Sequence, residues 1–222
     1  MATIKILIGD DHRIVREGLK QVLADAPDIE VVAEAETGPD ILLQVDALGG
    51  HEGLNAVLLD IALPDRDGMD VLQALKKSWP LLPVLMLSTY PEKQYVVRCI
   101  QLGAAGYLNK SAHPDDMRAA VRKVASGGMY VSAVAAEALA SAMSRGSGSS
   151  PARGLEALSH REHQVFRLLT AGKSVGKIGA QLGLASNTIS TYRQRILEKT
   201  GTKNDVELAL YAERHAKATP GL

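Results

Sequence analysis

Short apolar runs and longer amphipathic stretches alternate through the first half of the chain. Ile4–Gly9, Glu30–Ala35, Ala56–Asp60, Val84–Ser88 and Gly106–Leu108 are brief and rich in Ile, Val, Leu and Ala, which predicts strands. Between them, Ile14–Asp25, Pro39–Ala47, Met69–Ser78, Gln94–Leu102 and Pro114–Ser126 repeat apolar residues every three or four positions, which predicts helices with one buried face. Several of the strand runs lack polar alternation, the pattern of parallel strands covered on both faces. Five strand–helix units in succession predict an α/β domain built on a doubly wound, five-stranded parallel sheet.

The second half has a helical period only, and Leu155–Tyr211 reads as four short helices. Ser159 and Glu162 stand at capping-box spacing ahead of Val165, Leu168 and Leu169. Ala171-Gly172-Lys173 ends that helix. Ser174 opens a second, carrying Val175, Ile178 and Leu182, and Gly183 supplies a tight turn. Ser186 is read as the cap of a third, Asn187–Thr200, with Ile189, Ile196 and Leu197 inward. Asn204 and Glu207 form another capping box for a fourth. A short helix, a glycine turn and a polar, basic helix make a helix-turn-helix pattern.

Composition separates the two halves. The 222 residues are 46% hydrophobic and 23% charged, with formal net charge +0, which is ordinary for a soluble protein of one large or two modest domains. Up to residue 152 there are 14 Lys and Arg against 19 Asp and Glu, a balance of −5; from residue 153 there are 11 against 6, a balance of +5. An acidic half joined to a basic half predicts two domains with different partners. Arg145–Arg153, RGSGSSPAR, is a flexible linker with a random-coil reach of about 16 Å, and the Ala-rich Ala133–Met143 before it is read as a helix. The divisions are thus residues 1–130, a helix and linker over 131–153, and a helical domain over 154–222. The single cysteine, Cys99, excludes an intramolecular disulfide and is read as a core thiol in a reducing compartment. No apolar stretch is long enough to span a bilayer, and the chain opens directly on a strand, so the expected location is cytoplasmic with no membrane partner.

Acids sit at the ends of the strand runs. Asp10 and Asp11 follow the first, and Asp60 closes the third. Open α/β sheets bind ligands at the carboxyl ends of their strands. Three carboxylates gathered there repel one another unless a cation shares the site, and oxygen-only ligands suit Mg2+ (or Mn2+) rather than zinc. Ser88 ends the fourth run and Lys110 follows the fifth. A metal, an ammonium and a hydroxyl around a carboxylate match the needs of a phosphoryl group, with Asp60 as nucleophile. Taken alone, Asp10 and Asp11 read equally well as helix-capping acids, and Tyr107 as a packed aromatic. Ser88 is preferred to Thr89 because it directly follows the apolar run.

Asp10-Asp11, Asp60 with Pro64 and Gly68 after it, Ser88, and GAAGYLNK ending at Lys110 resemble the receiver domain of bacterial two-component response regulators, over residues 1–130. The resemblance implies a flavodoxin-like sheet in the order 2-1-3-4-5 with Asp60 as phosphoacceptor. Asp11 and Asp60 would bind Mg2+ through side chains, Ala62 through its backbone carbonyl and Asp10 mainly through water. Ser88 and Tyr107 resemble the switch pair, and Lys110 the residue that meets the phosphoryl oxygens. A sensor histidine kinase is the implied donor, and no enzymatic activity is implied beyond self-phosphorylation from a donor and slow aspartyl-phosphate hydrolysis. Ser88 is expected to move inward on phosphorylation and Tyr107 to fill the space vacated. That would alter the surface made by the Gln94–Leu102 helix, the fifth strand and the Pro114–Ser126 helix. The chain departs from the pattern in places. Leu63 stands where Met is frequent. Ser111 follows Lys110 where many receivers have Pro, so a trans peptide is expected there. LGGHEGL at Leu48–Leu54 reads as a loop insertion with His51 solvated.

LSHREHQVFRLLTAGKS, IGAQLGLASNTISTYRQRILEKTG and NDVELALYA resemble the four-helix DNA-binding domain of LuxR/NarL-class (NarL/FixJ) regulators. By that resemblance the third helix lies in the major groove with Ser190, Thr191 and Gln194 toward base edges. Arg195 and Lys199 would hold phosphates, joined by Lys177, Thr188, Tyr192 and Arg193. The implied partners are double-stranded DNA with paired half-sites, a second copy of the chain on activation, and RNA polymerase. Dimer contacts are expected from the receiver and from Val206, Leu210 and Tyr211. Lys177 deprives Ser174 of a capping-box acid, and Gly179 costs up to about 1 kcal/mol in a helix interior, so a weak second helix is expected. Ser190, where many members carry Lys, changes the sequence read.

Two other readings are open on sequence alone. A phosphohydrolase would use Asp60 as nucleophile with Asp65 or Asp67 as the acid. A phosphorylation-independent regulator would use its first domain only to dimerise. The fused basic domain disfavours the first and the complete acidic pocket the second.

Overall fold

The structure, a computed structural model, describes residues 3–64, 66–89, 92–144 and 154–218. It divides into two compact units, Met1–Ser147 and Gly148–Leu222. The linker expected at Arg145–Arg153 lies outside the described residues.

The first unit runs β1 (Ile4–Gly9), α1 (Arg13–Ala24), β2 (Ile29–Ala35), α2 (Gly38–Ala47), β3 (Ala56–Asp60), α3 (Gly68–Ser78), β4 (Val84–Ser88), α4 (Glu92–Gln101), β5 (Gly106–Asn109), α5 (Pro114–Ala125) and α6 (Ala133–Ser144). All strand pairs are parallel, in the order β2-β1-β3-β4-β5. Strand periodicity sorts the apolar residues onto two faces. Leu7, Val57, Leu59, Val84, Met86 and Tyr107 pack beneath α2, α3 and α4. Ile6, Ile8, Leu58, Leu85, Leu87 and Leu108 pack beneath α1 and α5. The continuous burial of β3 and β4 is what their unbroken apolar runs predict.

Local chemistry sets the helix starts. Thr37 accepts the amide of Asp40 at α2, and Asp67 Oδ1 accepts that of Met69 at 2.9 Å at α3. Gly68 is required by a close approach: a Cβ there would stand 2.0 Å from the carbonyl oxygen of Asp60. The LGGHEGL insertion is not open loop throughout. Gly50–Glu52 forms a 3-10 turn on which Trp79 packs, leaving no space for a Cβ at Gly50. Trp79 Nε1 donates to Asp46 at 2.7 Å, and the exposed His51 meets the indole edge-on.

The helix expected at Ala133–Met143 forms, but it is part of the first unit. Tyr130 bridges in parallel to Gly106 at the sheet edge. α6 then packs on α4, with Ala135 fully buried and Ala138 and Leu139 against the same core. The α4 part of the surface expected to change on phosphorylation is therefore covered by α6.

The second unit consists of a 3-10 turn (Gly154–Ala157), α7 (His160–Thr170), α8 (Val175–Leu182), α9 (Ser186–Thr200) and α10 (Asp205–Ala218). Its core joins Leu158, Val165, Phe166, Leu169, Ile178, Ile189, Tyr192, Ile196 and Leu208. The Ser159–Glu162 capping box is complete. Ser174 makes no side-chain cap, and with Lys177 at the third helical position no acid accepts the Ser174 amide in return. Ala185, rather than Ser186, takes the cap position of α9. Gly179 is explained by packing: a Cβ there would lie 2.6 Å from the carbonyl oxygen of Leu184, whose amide hydrogen-bonds back to Gly179. The expected propensity cost is what this tight α8–α9 turn requires.

Candidate functional site

Strand register assembles the acidic pocket. Gly9 pairs with Leu59, Asp60 with Leu87 and Ser88 with Asn109. Asp10, Asp60, Ser88 and Lys110 thus emerge together at the carboxyl ends of the strands. Asp10, Asp60 and Ser88 are all buried, whereas Thr89 is exposed. Lys110 Nζ lies 2.6 Å from Asp10 Oδ2 and 2.9 Å from Asp60 Oδ2. Its main-chain amide donates to the Ser88 carbonyl at 2.8 Å. No cis peptide occurs among the described residues, so the Lys110–Ser111 bond is trans as expected. Asn109 Oδ1 accepts from the Ser111 amide at 2.9 Å and stabilises that turn.

The electrostatics are strained by burial. Burial pushes the Asp60 carboxyl above its ordinary range, and Lys110 opposes that rise only in part. The Ala62 amide also bonds Asp60. Burial pulls Lys110 down, yet Asp60 and Asp10 outweigh it and leave the ammonium raised overall. Asp10 Oδ2, Asp11 Oδ1 and Asp60 Oδ2 are buried and accept no hydrogen bond of good geometry; the first and last face the Lys110 ammonium, and Asp11 Oδ1 faces the His12 ring. Ligand atoms of Asp10, Asp11, His12 and Asp60 lie within 4.8 Å of one another. Three hard oxygen donors with such unsatisfied atoms fit a small divalent cation.

His12 was not anticipated. Its ring contacts Asp11 Oδ1 at 2.7 Å but is 62% exposed, at the mouth of the pocket. Its only signal in sequence is adjacency to Asp11. Tyr107 is wholly buried in the cluster that holds Tyr95, Val96, Cys99, Ala104 and Ala135. The ring expected to fill a space on phosphorylation is thus already enclosed in this structure. Asp67 is the cap of α3, which removes it as the free acid of a phosphohydrolase; Asp65 lies outside the described residues.

In the second unit α9 divides into two faces. Ile189, Tyr192 and Ile196 are buried, so Tyr192 is a core residue and not part of the exposed face; its three-residue spacing from Ile189 was the overlooked signal. Ser190, Thr191, Gln194 and Arg195 are exposed together, as is Lys177 on α8, while Thr188 is half-buried. Arg193 Nε pairs with Asp205 at 2.8 Å, and Lys199 Nζ with Glu162 at 2.6 Å. Both cations expected on phosphates are therefore engaged within the unit. On α10, Val206 is 71% and Leu210 53% exposed. Tyr211 is instead half-buried, stacked on His215 and close over Gly154.

This fold, with three acids and a lysine at the strand ends and a helix-turn-helix unit after it, defines a class of signalling protein. Residues 6–122 match the response regulator receiver domain, and residues 156–212 match the luxR family of bacterial regulatory proteins. The response regulator GacA of Pseudomonas protegens is 36% identical over 219 residues, 99% of this chain and 100% of that protein. The transcriptional regulatory protein UhpA of Escherichia coli K12 is 37% identical over 93% of this chain and 96% of that protein. The crystal structure of the response regulator ChrA, from a heme-sensing two-component system, aligns with TM-score 0.52 and 30% identity, covering 97% of this chain and 99% of that one. The chain belongs to the response regulators of the NarL/FixJ class, transcription regulators that join a receiver to a LuxR-type helix-turn-helix domain.

Proposed function

We propose that Asp60 is the phosphoacceptor, that a sensor histidine kinase is its donor, and that phosphorylation drives dimerisation and binding to paired DNA half-sites. The observation that carries this reading is the buried Asp60 carboxylate beside Lys110, with Asp10 and Asp11 each turning one buried oxygen without a hydrogen-bond partner into the same site.

In the transfer, an Asp60 carboxylate oxygen forms a bond to phosphorus. The nitrogen–phosphorus bond of the donor phosphohistidine breaks, and the imidazole nitrogen leaves with the electron pair and takes a proton from solvent. Asp10, Asp11, Asp60 and the Ala62 carbonyl would hold Mg2+, which when bound neutralises phosphoryl charge. Lys110 moves from Asp60 to the phosphoryl oxygens, and the Ser88 hydroxyl donates to another. Tyr107 and the overlying α4 and α6 then settle on the altered site, making these elements the part of the receiver biased by phosphorylation.

For DNA, the exposed Ser190, Thr191 and Gln194 face base edges, and Arg195 and Lys177 hold phosphates. Lys199 and Arg193 keep α9 in place and reach phosphate only secondarily. Val206 and Leu210 form the apolar part of a dimer contact, with Tyr211 behind them. Action in the cytoplasm fits the absence of any helix, among the described residues, long and apolar enough to cross a membrane. RNA polymerase is the expected downstream partner.

The test is to incubate the protein with Mg2+ and phosphoramidate and to locate the phosphoryl group by borohydride trapping and mass analysis. Label on Asp60, absent from Asp60→Asn, supports the reading. Label elsewhere, or none, contradicts it.

A further inference from the structure

The Asp10–Asp11 turn is held from behind by a side chain that phosphotransfer itself does not use. Arg16 lies on the same buried stripe of α1 as Leu19 and Leu23. Its Nη1 donates to the main-chain carbonyl of Asp10 at 2.6 Å. Its Nε donates to Glu34 Oε2 at 3.2 Å, and its Nη2 to Glu36. The Asp10 amide in turn donates to the Ala35 carbonyl at 3.0 Å. The main chain of Asp10 is therefore fixed through both its donor and its acceptor, and both ties lead to the end of β2.

The charges are arranged so that this cation does not compete for the pocket. The guanidinium is matched by Glu34 and Glu36 and spends one N–H on a neutral carbonyl. Lys20 shares Glu34 at 2.6 Å and also pairs with Glu17 at 2.9 Å. The network closes on itself without recruiting the carboxylates of Asp10 and Asp11. Asp10 Oδ1 instead accepts the His12 amide at 2.9 Å, which orients the second oxygen toward Lys110 and Asp60.

We infer that Arg16 is a positioning residue for the divalent cation of the acidic pocket: it fixes the Asp10–Asp11 peptide, and so the direction of both carboxylates, without itself being a ligand. The inference rests on the reading of that pocket as the phosphorylation site. Groups that orient ligands in this way set metal affinity by about 10- to 100-fold.

The experiment is Mn2+ binding to the full chain, read as the electron paramagnetic resonance signal of free Mn2+, in wild type, Arg16→Gln, Arg16→Lys and Glu36→Ala. Circular dichroism confirms that each variant is folded. The expected result is Mn2+ affinity about 10-fold weaker or worse in Arg16→Gln. Arg16→Lys, which keeps the charge but not the planar fork, is expected to recover part of the loss. Glu36→Ala is expected to lose affinity a few-fold. A purely structural role would lower thermal stability while leaving the affinity of the folded variants equal to wild type, and that result overturns the inference. If Arg16→Gln does not fold, Arg16→Lys and Glu36→Ala decide on the same signal. A wild-type protein that binds no Mn2+ would overturn the reading of the pocket as well, whereas wild-type binding with unchanged variants overturns only the role of Arg16.

Discussion

Lys199 Nζ sits 2.6 Å from Glu162 Oε2, joining the last turn of α9 to the first turn of α7. Glu162 is 2% exposed and also accepts the Ser159 amide of its own capping box. One carboxylate thus closes a helix cap and anchors the recognition helix. Leaving a buried charge unpaired costs about 3–5 kcal/mol; the partly exposed lysine reduces that figure. Lys199→Ala is therefore expected to destabilise the second unit by about 2 kcal/mol in denaturant unfolding. Arg195→Ala should leave unfolding unchanged and instead weaken DNA binding, lowering the salt slope by about 1. The reverse pattern would return Lys199 to the phosphates.

Arg122 on α5 grips Asp28, just before β2, through Nε at 2.7 Å and Nη2 at 2.8 Å. The guanidinium holds the Asp28 carboxyl down to about 2, from an ordinary 3.8. A depressed carboxylate stabilises the fold above its unfolded pKa, and that stabilisation is lost as pH falls through its folded pKa. The contribution is thus full above pH 3.8 and fades toward pH 2. Carboxyl NMR should show Asp28 titrating near 2 in the wild type, and near its ordinary value in Arg122→Ala.

Cys99 lies on the buried face of α4, and burial pushes its thiol up to about 12. At pH 8 the folded protein should resist iodoacetamide, and the denatured protein should react fully. Rapid alkylation of native protein would show that the α4 region opens readily.

Ala135 is fully enclosed where α6 meets the core that contains Tyr107. Ala135→Asp places a charge with no room for water, so α6 should undock instead, surrendering about 2 kcal/mol of apolar contact. Hydrogen exchange should accelerate across α6 and in the Tyr130 bridge while α1 and α2 remain protected. Unchanged exchange in α6 would mean that its packing contributes little.

Much of this was legible in the sequence because its signals are local. Short apolar runs located the strands, and the polar residues that close or follow them placed Asp10, Asp11, Asp60 and Lys110 at the strands' carboxyl ends. The Ser159–Glu162 spacing located the start of α7. What escaped depended on tertiary partners. Arg16 shares a stripe with Leu19 and Leu23, yet only the approach of β2 shows that it grips Asp10. Tyr192 and Lys199 read in sequence as phosphate contacts on a polar helix, because neither the buried Glu162 nor the core of α7 and α8 can be seen from α9 alone. The cost assigned to Gly179 reversed because the approach of Leu184 cannot be read from propensity. The docking of α6 on α4 was invisible, since an Ala-rich helix beside a Gly/Ser linker carries almost no amphipathic signal.

The central claim is that the state of the Asp60 pocket controls assembly, and sedimentation velocity tests it most directly. Wild-type protein and Asp60→Asn would be compared in Mg2+ with and without beryllofluoride, which mimics the phosphoryl group. A shift from monomer to dimer in the wild type alone is the predicted result. Equal sedimentation of both proteins, with the mimic demonstrably bound to the wild type, would contradict it.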